Sequence, residues 1–267
     1  MPRTIASLVL AALILGVAGA SQAHFQMIYT PEAARTRGGE LDLDLVFTHP
    51  FSGDPTMDMG PPEEFYMVHK GERTDLLETL APIQWQGLSK AGAAYEATVT
   101  ARSMGDYVFV LTPAPYLEAE EDAYIQQITK VIVNNAGLPT DWDAELGLPA
   151  EILPLDKPYA LWTGNVFRGV VLSEGAPVPD AEIEVEYMNH PPVPGRNAFQ
   201  KEALVTAPQD AYVTMTIKAD DDGRFAFGIP QAGWWGFAAL GVGPRTAFQG
   251  KECSQDAVIW VHAVDMQ

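Results

Sequence analysis

Leu41-Asp42-Leu43-Asp44-Leu45-Val46-Phe47 decides the fold class. Its odd positions are apolar and two of its three even positions are acidic. That is the period-two alternation of a half-buried strand, with one face on a core and the other in water. The same alternation returns at Tyr107-Val108-Phe109-Val110, after a Gly105-Asp106 turn. It recurs at Ala181-Glu182-Ile183-Glu184-Val185-Glu186-Tyr187, where three glutamates share a face, and again over residues 213–217 and 225–227. Turn formers such as Asp220-Asp221-Asp222-Gly223 separate these runs. The 21 prolines and 23 glycines punctuate the chain too often for long helices. An all-β protein is expected, with residues 117–127 as the single helical stretch.

Pro149, Pro154 and Pro158 interrupt the pattern and suggest a domain boundary. Two β-sandwich domains are expected, over residues 24–155 and 156–267. In the second, Gly164-Asn165-Val166-Phe167-Arg168-Gly169-Val170-Val171 leads into Gly175-Ala176-Pro177-Val178, and Asp222-Gly223-Arg224-Phe225-Ala226-Phe227 follows. This order resembles the transthyretin-like or carboxypeptidase-regulatory-like sandwich, a resemblance that implies binding or spacing and not catalysis.

The N-terminus reads as a secretory signal. Arg3 precedes an apolar run from Ile5 to Ala20, and Ser21-Gln22-Ala23 supplies small residues at the −3 and −1 positions of a cleavage site. An uncleaved anchor is the competing reading, against which the shortness of the run counts. A periplasmic protein that does not span the membrane after cleavage is therefore expected. Only Arg3 leaves with the signal, so the formal net charge moves from −19 to −20. Such a surface repels nucleic acid and draws cations weakly. Cys253 is the only cysteine, which excludes an intrachain disulfide and reads as a small buried residue.

Cleavage after Ala23 would give His24 a free α-amino group, and that amine with imidazole Nδ1 can chelate one metal ion. If residues 24–29 and 41–48 pair antiparallel, His24 falls opposite His49, close enough to share the ion. After His49, the loop Phe51-Ser52-Gly53-Asp54-Pro55-Thr56-Met57-Asp58-Met59-Gly60 offers Met57, Asp58 and Met59 as groups that could close over it. Imidazole suits nickel, cobalt, copper or zinc, while thioethers favour softer ions. The run Glu118-Ala119-Glu120-Glu121-Asp122 reads first as solvated charge, with a hard-ion or outer-shell role as the alternative. His69, His190 and His262 read as structural. Gly233-Trp234-Trp235-Gly236-Phe237 reads as packing, with a sugar platform as the alternative. No G-x-S-x-G elbow, phosphate loop, H-E-x-x-H or C-x-x-C is present, so no enzyme is expected.

Several of these stretches together resemble one family: Ala23-His24-Phe25, Thr48-His49-Pro50-Phe51, Thr74-Asp75-Leu76-Leu77-Glu78-Thr79-Leu80, Pro115-Tyr116 with its acidic run, Tyr124-Ile125-Gln126-Gln127-Ile128-Thr129-Lys130, Gly164-Asn165-Val166-Phe167 and Gly233-Trp234-Trp235-Gly236-Phe237-Ala238-Ala239-Leu240. The chain is similar to the DUF4198 proteins. That resemblance implies a periplasmic component that hands Ni²⁺ or Co²⁺ to an energy-coupling-factor-type transporter in the inner membrane. It supports His24 and His49 and identifies no further histidine ligand. Two other readings stay open: a copper histidine-brace carrier or oxidase, and a glycan- or partner-binding sandwich. N-terminal sequencing of the exported protein should begin at His24, and a form that still carries Met1 would contradict the signal reading.

Overall fold

The computed structural model describes residues 24–267, and the expected signal segment lies outside them. The strands of three or more residues are β1 (Phe25–Tyr29), β2 (Gly39–Thr48), β3 (Glu64–His69), β4 (Glu72–Asp75), β5 (Ala81–Gln86), β6 (Ala91–Ala101), β7 (Gly105–Thr112) and β8 (Tyr116–Glu118). They continue with β9 (Ala123–Asn135), β10 (Ala150–Pro154), β11 (Val166–Ser173), β12 (Glu182–Tyr187), β13 (Thr214–Lys218), β14 (Arg224–Gly228), β15 (Gly233–Ala239) and β16 (Lys251–Val264). Two 3₁₀ turns, Leu77–Thr79 and Asp210–Tyr212, complete the regular structure. The protein is all-β. None of its helices is long and apolar enough to cross a membrane, among the described residues.

Residues 117–127 are not helical. They form the antiparallel hairpin β8–β9, with Tyr116 opposite Ile125 and Glu118 opposite Ala123. The acidic run has acceptable helix propensity, but propensity is a weak prior that tertiary pairing overrides. Here β9 already lies between two other strands, and β8 joins its free end.

Three sheets build two layered pairs around one contiguous apolar core. The first sheet runs β1-β2-β6-β5. The second and longest runs β13-β12-β15-β16-β9-β7-β3-β4. The third carries β10, β11 and β14. Layer contacts are aromatic. Phe25 of β1 meets Trp260 of β16 edge-on at 5.8 Å, and Phe167 of β11 meets Phe237 of β15 at 4.9 Å. Lys130 of β9 donates to Glu151 of β10 at 2.6 Å, both fully buried, which ties the long sheet to the third.

The long sheet passes from one half of the chain into the other through a parallel pair, β9 with β16. The two layered pairs therefore share one continuous sheet. Along β2 the sequence pattern holds, with Leu41, Leu43 and Leu45 buried and Asp42 exposed. Along β7 it does not show, because both faces are covered and residues 105–111 are all buried.

At Gly236 of β15 an added Cβ would lie 2.9 Å from both Phe25 and Trp260. Only glycine lets β1 settle at this depth. Gly236→Ala should therefore lower unfolding free energy by about 1–3 kcal/mol through overpacking. Urea denaturation measures this, and an unchanged midpoint would contradict that account of how β1 is seated.

Candidate metal site

Strands β1 and β2 pair antiparallel with Phe25 opposite Thr48 and Gln26 opposite Phe47. One step further along this register places His24 across from His49, the juxtaposition expected from sequence. Their ring centroids lie 4.5 Å apart, inclined by 47°. Phe47, at 5.6 Å from the His24 ring, and Tyr116, at 6.3 Å, wall the pair from the side. His49 is 6% exposed, and the His24 side chain retains 18% of its accessible surface.

Glu118, at the end of β8, brings its Oε2 to 3.0 Å from His24 Nε2. Burial holds the His24 imidazole down at about 4, assisted by the nearby His49 and opposed by the charge and hydrogen bond of Glu118. At neutral pH the ring is therefore neutral, and the contact with Glu118 is a hydrogen bond from Nε2–H to a carboxylate.

From inside the sheet, Gln127 of β9 fixes the main chain on either side of residue 25. Its Nε2 donates to the His24 carbonyl at 2.7 Å, and its Oε1 accepts the Gln26 N–H at 2.7 Å. Gln127 also donates to Asp256 of β16 at 3.2 Å. Asp256 in turn accepts the Gly241 N–H and the Ser254 hydroxyl. Burial pushes the Asp256 carboxyl up, and these hydrogen bonds oppose that.

The loop after His49 is held by the other half of the chain. Phe51 N–H donates to Glu186 Oε2 at 3.2 Å, and Asn189 N–H donates to the Pro50 carbonyl at 3.1 Å. The Thr214 hydroxyl donates to the second Glu186 oxygen. Gly53 turns the loop at φ +66° against His190, whose Cβ would lie 2.9 Å from any Cβ added there.

The remaining candidates from the sequence take other positions. Met57 is buried on the two-residue strand Thr56–Met57, opposite Phe47. Asp58 is exposed and accepts the Ala93 N–H at 2.8 Å. The Met59 sulfur accepts from Gln26 Nε2 at 3.4 Å and lines a small pocket with Phe47, Tyr116 and Gln127. The structure thus brings together His24 and His49, sets Met59 in the adjoining pocket, and engages Met57 and Asp58 with β2 and β6. Side chains alone give no grouping of three or more His, Cys, Asp or Glu arranged to hold a metal, among the described residues.

The sequence alone does not mark Gln127 or Asp256 as part of the site, and it offers Glu118 only through the alternative, outer-shell reading of its acidic run. The available signal was Tyr116-Leu117-Glu118, whose alternation sets Tyr116 and Glu118 on one face of a short strand. The other histidines are engaged locally. His69 stacks on Tyr107 at 4.0 Å and bonds the Asp106 carbonyl, His190 bonds the Gln200 carbonyl, and His262 lies against Trp234. Cys253 is buried.

The family model for DUF4198, a domain of unknown function, matches residues 21–243. The chain belongs to the DUF4198 family. No curated protein matches it. Among solved structures, the D0-D1 domain of intimin is similar at 10% identity, over 90% of this DUF4198 chain and 100% of its own, with a TM-score of 0.22. Escherichia coli alpha-2-macroglobulin activated by porcine elastase is similar at 10% identity over 91% of this chain and 20% of its own, with a TM-score of 0.23. The titin Ig tandem domains A164-A165 are 12% identical over 92% and 98%, with a TM-score of 0.19. Likenesses this weak carry no argument.

Carboxyls buried wholly or in part give the DUF4198 protein a definite pH response. Burial pushes Glu186 up to about 8, and Glu184 and Asp44 up to about 7. From roughly pH 4.5 to 8 the unfolded chain has released protons that the native state keeps, so stability falls as pH rises through that window. His24 acts in the opposite sense between about 6.5 and 4, where the unfolded chain takes up a proton that the native state refuses. The melting temperature of the metal-free protein should fall from pH 6 to pH 8.5, and Glu186→Gln should flatten that decline. A slope identical in the variant would contradict the assignment.

Proposed function

We propose that this is an exported periplasmic protein that captures Ni²⁺ or Co²⁺ at His24 and His49 and passes the ion to an energy-coupling-factor-type transporter in the inner membrane. The observation that carries the reading is the side-by-side placement of the two imidazoles, 4.5 Å apart just beyond the adjacent ends of β1 and β2. A transition-metal site needs neutral imidazole, and burial keeps His24 in that form without any metal. Cleavage after Ala23 adds the α-amine of the same residue. The donor set is then two imidazoles and an amine, all nitrogen, which suits Ni²⁺ and Co²⁺ at the borderline of softness. The net charge of −20 after cleavage raises the local cation concentration without defining a site. Such a protein would act by holding and releasing its cargo, with no bond of a substrate made or broken.

A copper histidine brace is the second reading, because the same two histidines and amine are its donors and Cu²⁺ outranks Ni²⁺ at nitrogen sites. A brace-type Cu²⁺ EPR spectrum with ascorbate-driven peroxide formation would favour it. A glycan platform has less support, since Trp234 and Trp235 are buried at 6% and 3% exposure.

Calorimetric titration of correctly processed protein with Ni²⁺ and Co²⁺ tests the first reading. Binding tighter than roughly 10 μM is expected, where the free energy is about −7 kcal/mol. One extra residue ahead of His24, or His49→Ala, should weaken it at least tenfold, about 1.4 kcal/mol or more. Weaker binding of both ions by the native form, or equal binding by the extended form, would defeat the reading.

A further inference from the structure

Two polar contacts hold His24, one at the ring and one at the main chain. Glu118 holds the ring at Nε2, and Gln127, itself held by Asp256, holds the carbonyl. A carboxylate can only accept, so the proton shared with Glu118 sits on Nε2. The lone pair for a metal is then left on Nδ1, the ring nitrogen that can form a chelate with the amine of its own residue. The alternative tautomer would offer Nε2, which is too far along the ring to share an ion with that amine.

We propose that Glu118 is a positioning residue that selects the Nδ1-binding form of His24, with Gln127 and Asp256 fixing the main chain from which the amine projects. The inference rests on the proposed metal-capture reading and deepens it, by assigning the chelating atom and the group that chooses it. Glu118 contributes without touching the ion. When a metal occupies Nδ1, the opposite N–H becomes more acidic, and a carboxylate already in place strengthens that hydrogen bond and raises ligand basicity. The origin of Glu118 is consistent with this role. It lies at the end of a short strand paired with β9, the strand that also carries Gln127. One strand therefore orients both the ring and the backbone of residue 24.

The experiment has two arms, on processed protein with Glu118→Ala and Glu118→Gln. Glu118 sits on a partly exposed hairpin, so both variants should fold. In the first arm, metal-free protein with ¹⁵N-labelled histidine is studied by long-range ¹H–¹⁵N correlation, with His24 assigned from His24→Ala. The wild type and Glu118→Gln should show the Nε2–H form alone, because the amide oxygen still accepts. Glu118→Ala should show a mixture of tautomers. In the second arm, Ni²⁺ titration should find Glu118→Ala weakened by about 10–100-fold, the usual cost of losing an outer-shell partner, and Glu118→Gln restored for most of that loss.

An unchanged tautomer in Glu118→Ala overturns the proposal, as does a changed tautomer without loss of affinity. Glu118→Gln falling as far as Glu118→Ala also overturns it, since the carboxylate would then act as a ligand or a bare charge. If the wild type binds no Ni²⁺, metal capture itself fails, and the first arm still decides whether Glu118 sets the ring.

Discussion

The parallel pairing of β9 with β16 is the constraint on which the remaining structure depends. Parallel strands need a crossover, and this one consumes every residue between Asn135 and Lys251. Because the register pairs Gln127 with Asp256 and Val131 with Trp260, three consequences follow together. The long sheet runs unbroken through both halves of the chain. Trp260 is set where Phe25 can pack on it edge-on, and its indole N–H donates to the Gln26 carbonyl at 2.9 Å. Asp256 is set where it can hold the amide of Gln127, which carries the backbone of His24. A one-residue slip would send all of these side chains to the opposite face.

The histidine pair stands at the end of that chain of dependence. Its first member leaves β1 directly, and its second opens a loop clamped by Glu186 and Asn189 from the distant half. Both halves thus fix the distance between two side chains at one end of the first sheet. Buried carboxyls are costly to retain. Glu186 and Asp256 each hold a main chain or amide near the pair, which gives their burial a physical purpose in the architecture.

Much of this was legible in the sequence. Alternation over 41–47 marks β2, and an antiparallel register with constant residue sum places His24 opposite His49. The hairpin β8–β9 is not legible, because Glu118-Ala119-Glu120-Glu121 favours a helix locally, whereas Tyr116–Glu118 pairs with β9 and residues 119–122 form the turn. Glu118 consequently looked like solvated charge. No apolar period marks Met57 or Met59 as core, and it is pairing with Phe47 that buries the first and a hydrogen bond from Gln26 that engages the sulfur of the second. Pairing between β9 and β16 joins residues more than a hundred positions apart, and no local pattern encodes it.

X-ray absorption at the nickel edge of the processed, Ni²⁺-loaded protein reports the ligands of the ion itself. Two imidazoles per metal, with the remaining nearest neighbours nitrogen or oxygen, are predicted, and His49→Ala should leave only one. A spectrum without imidazole multiple scattering, or one that is indifferent to His49→Ala, would contradict a metal site built on His24 and His49.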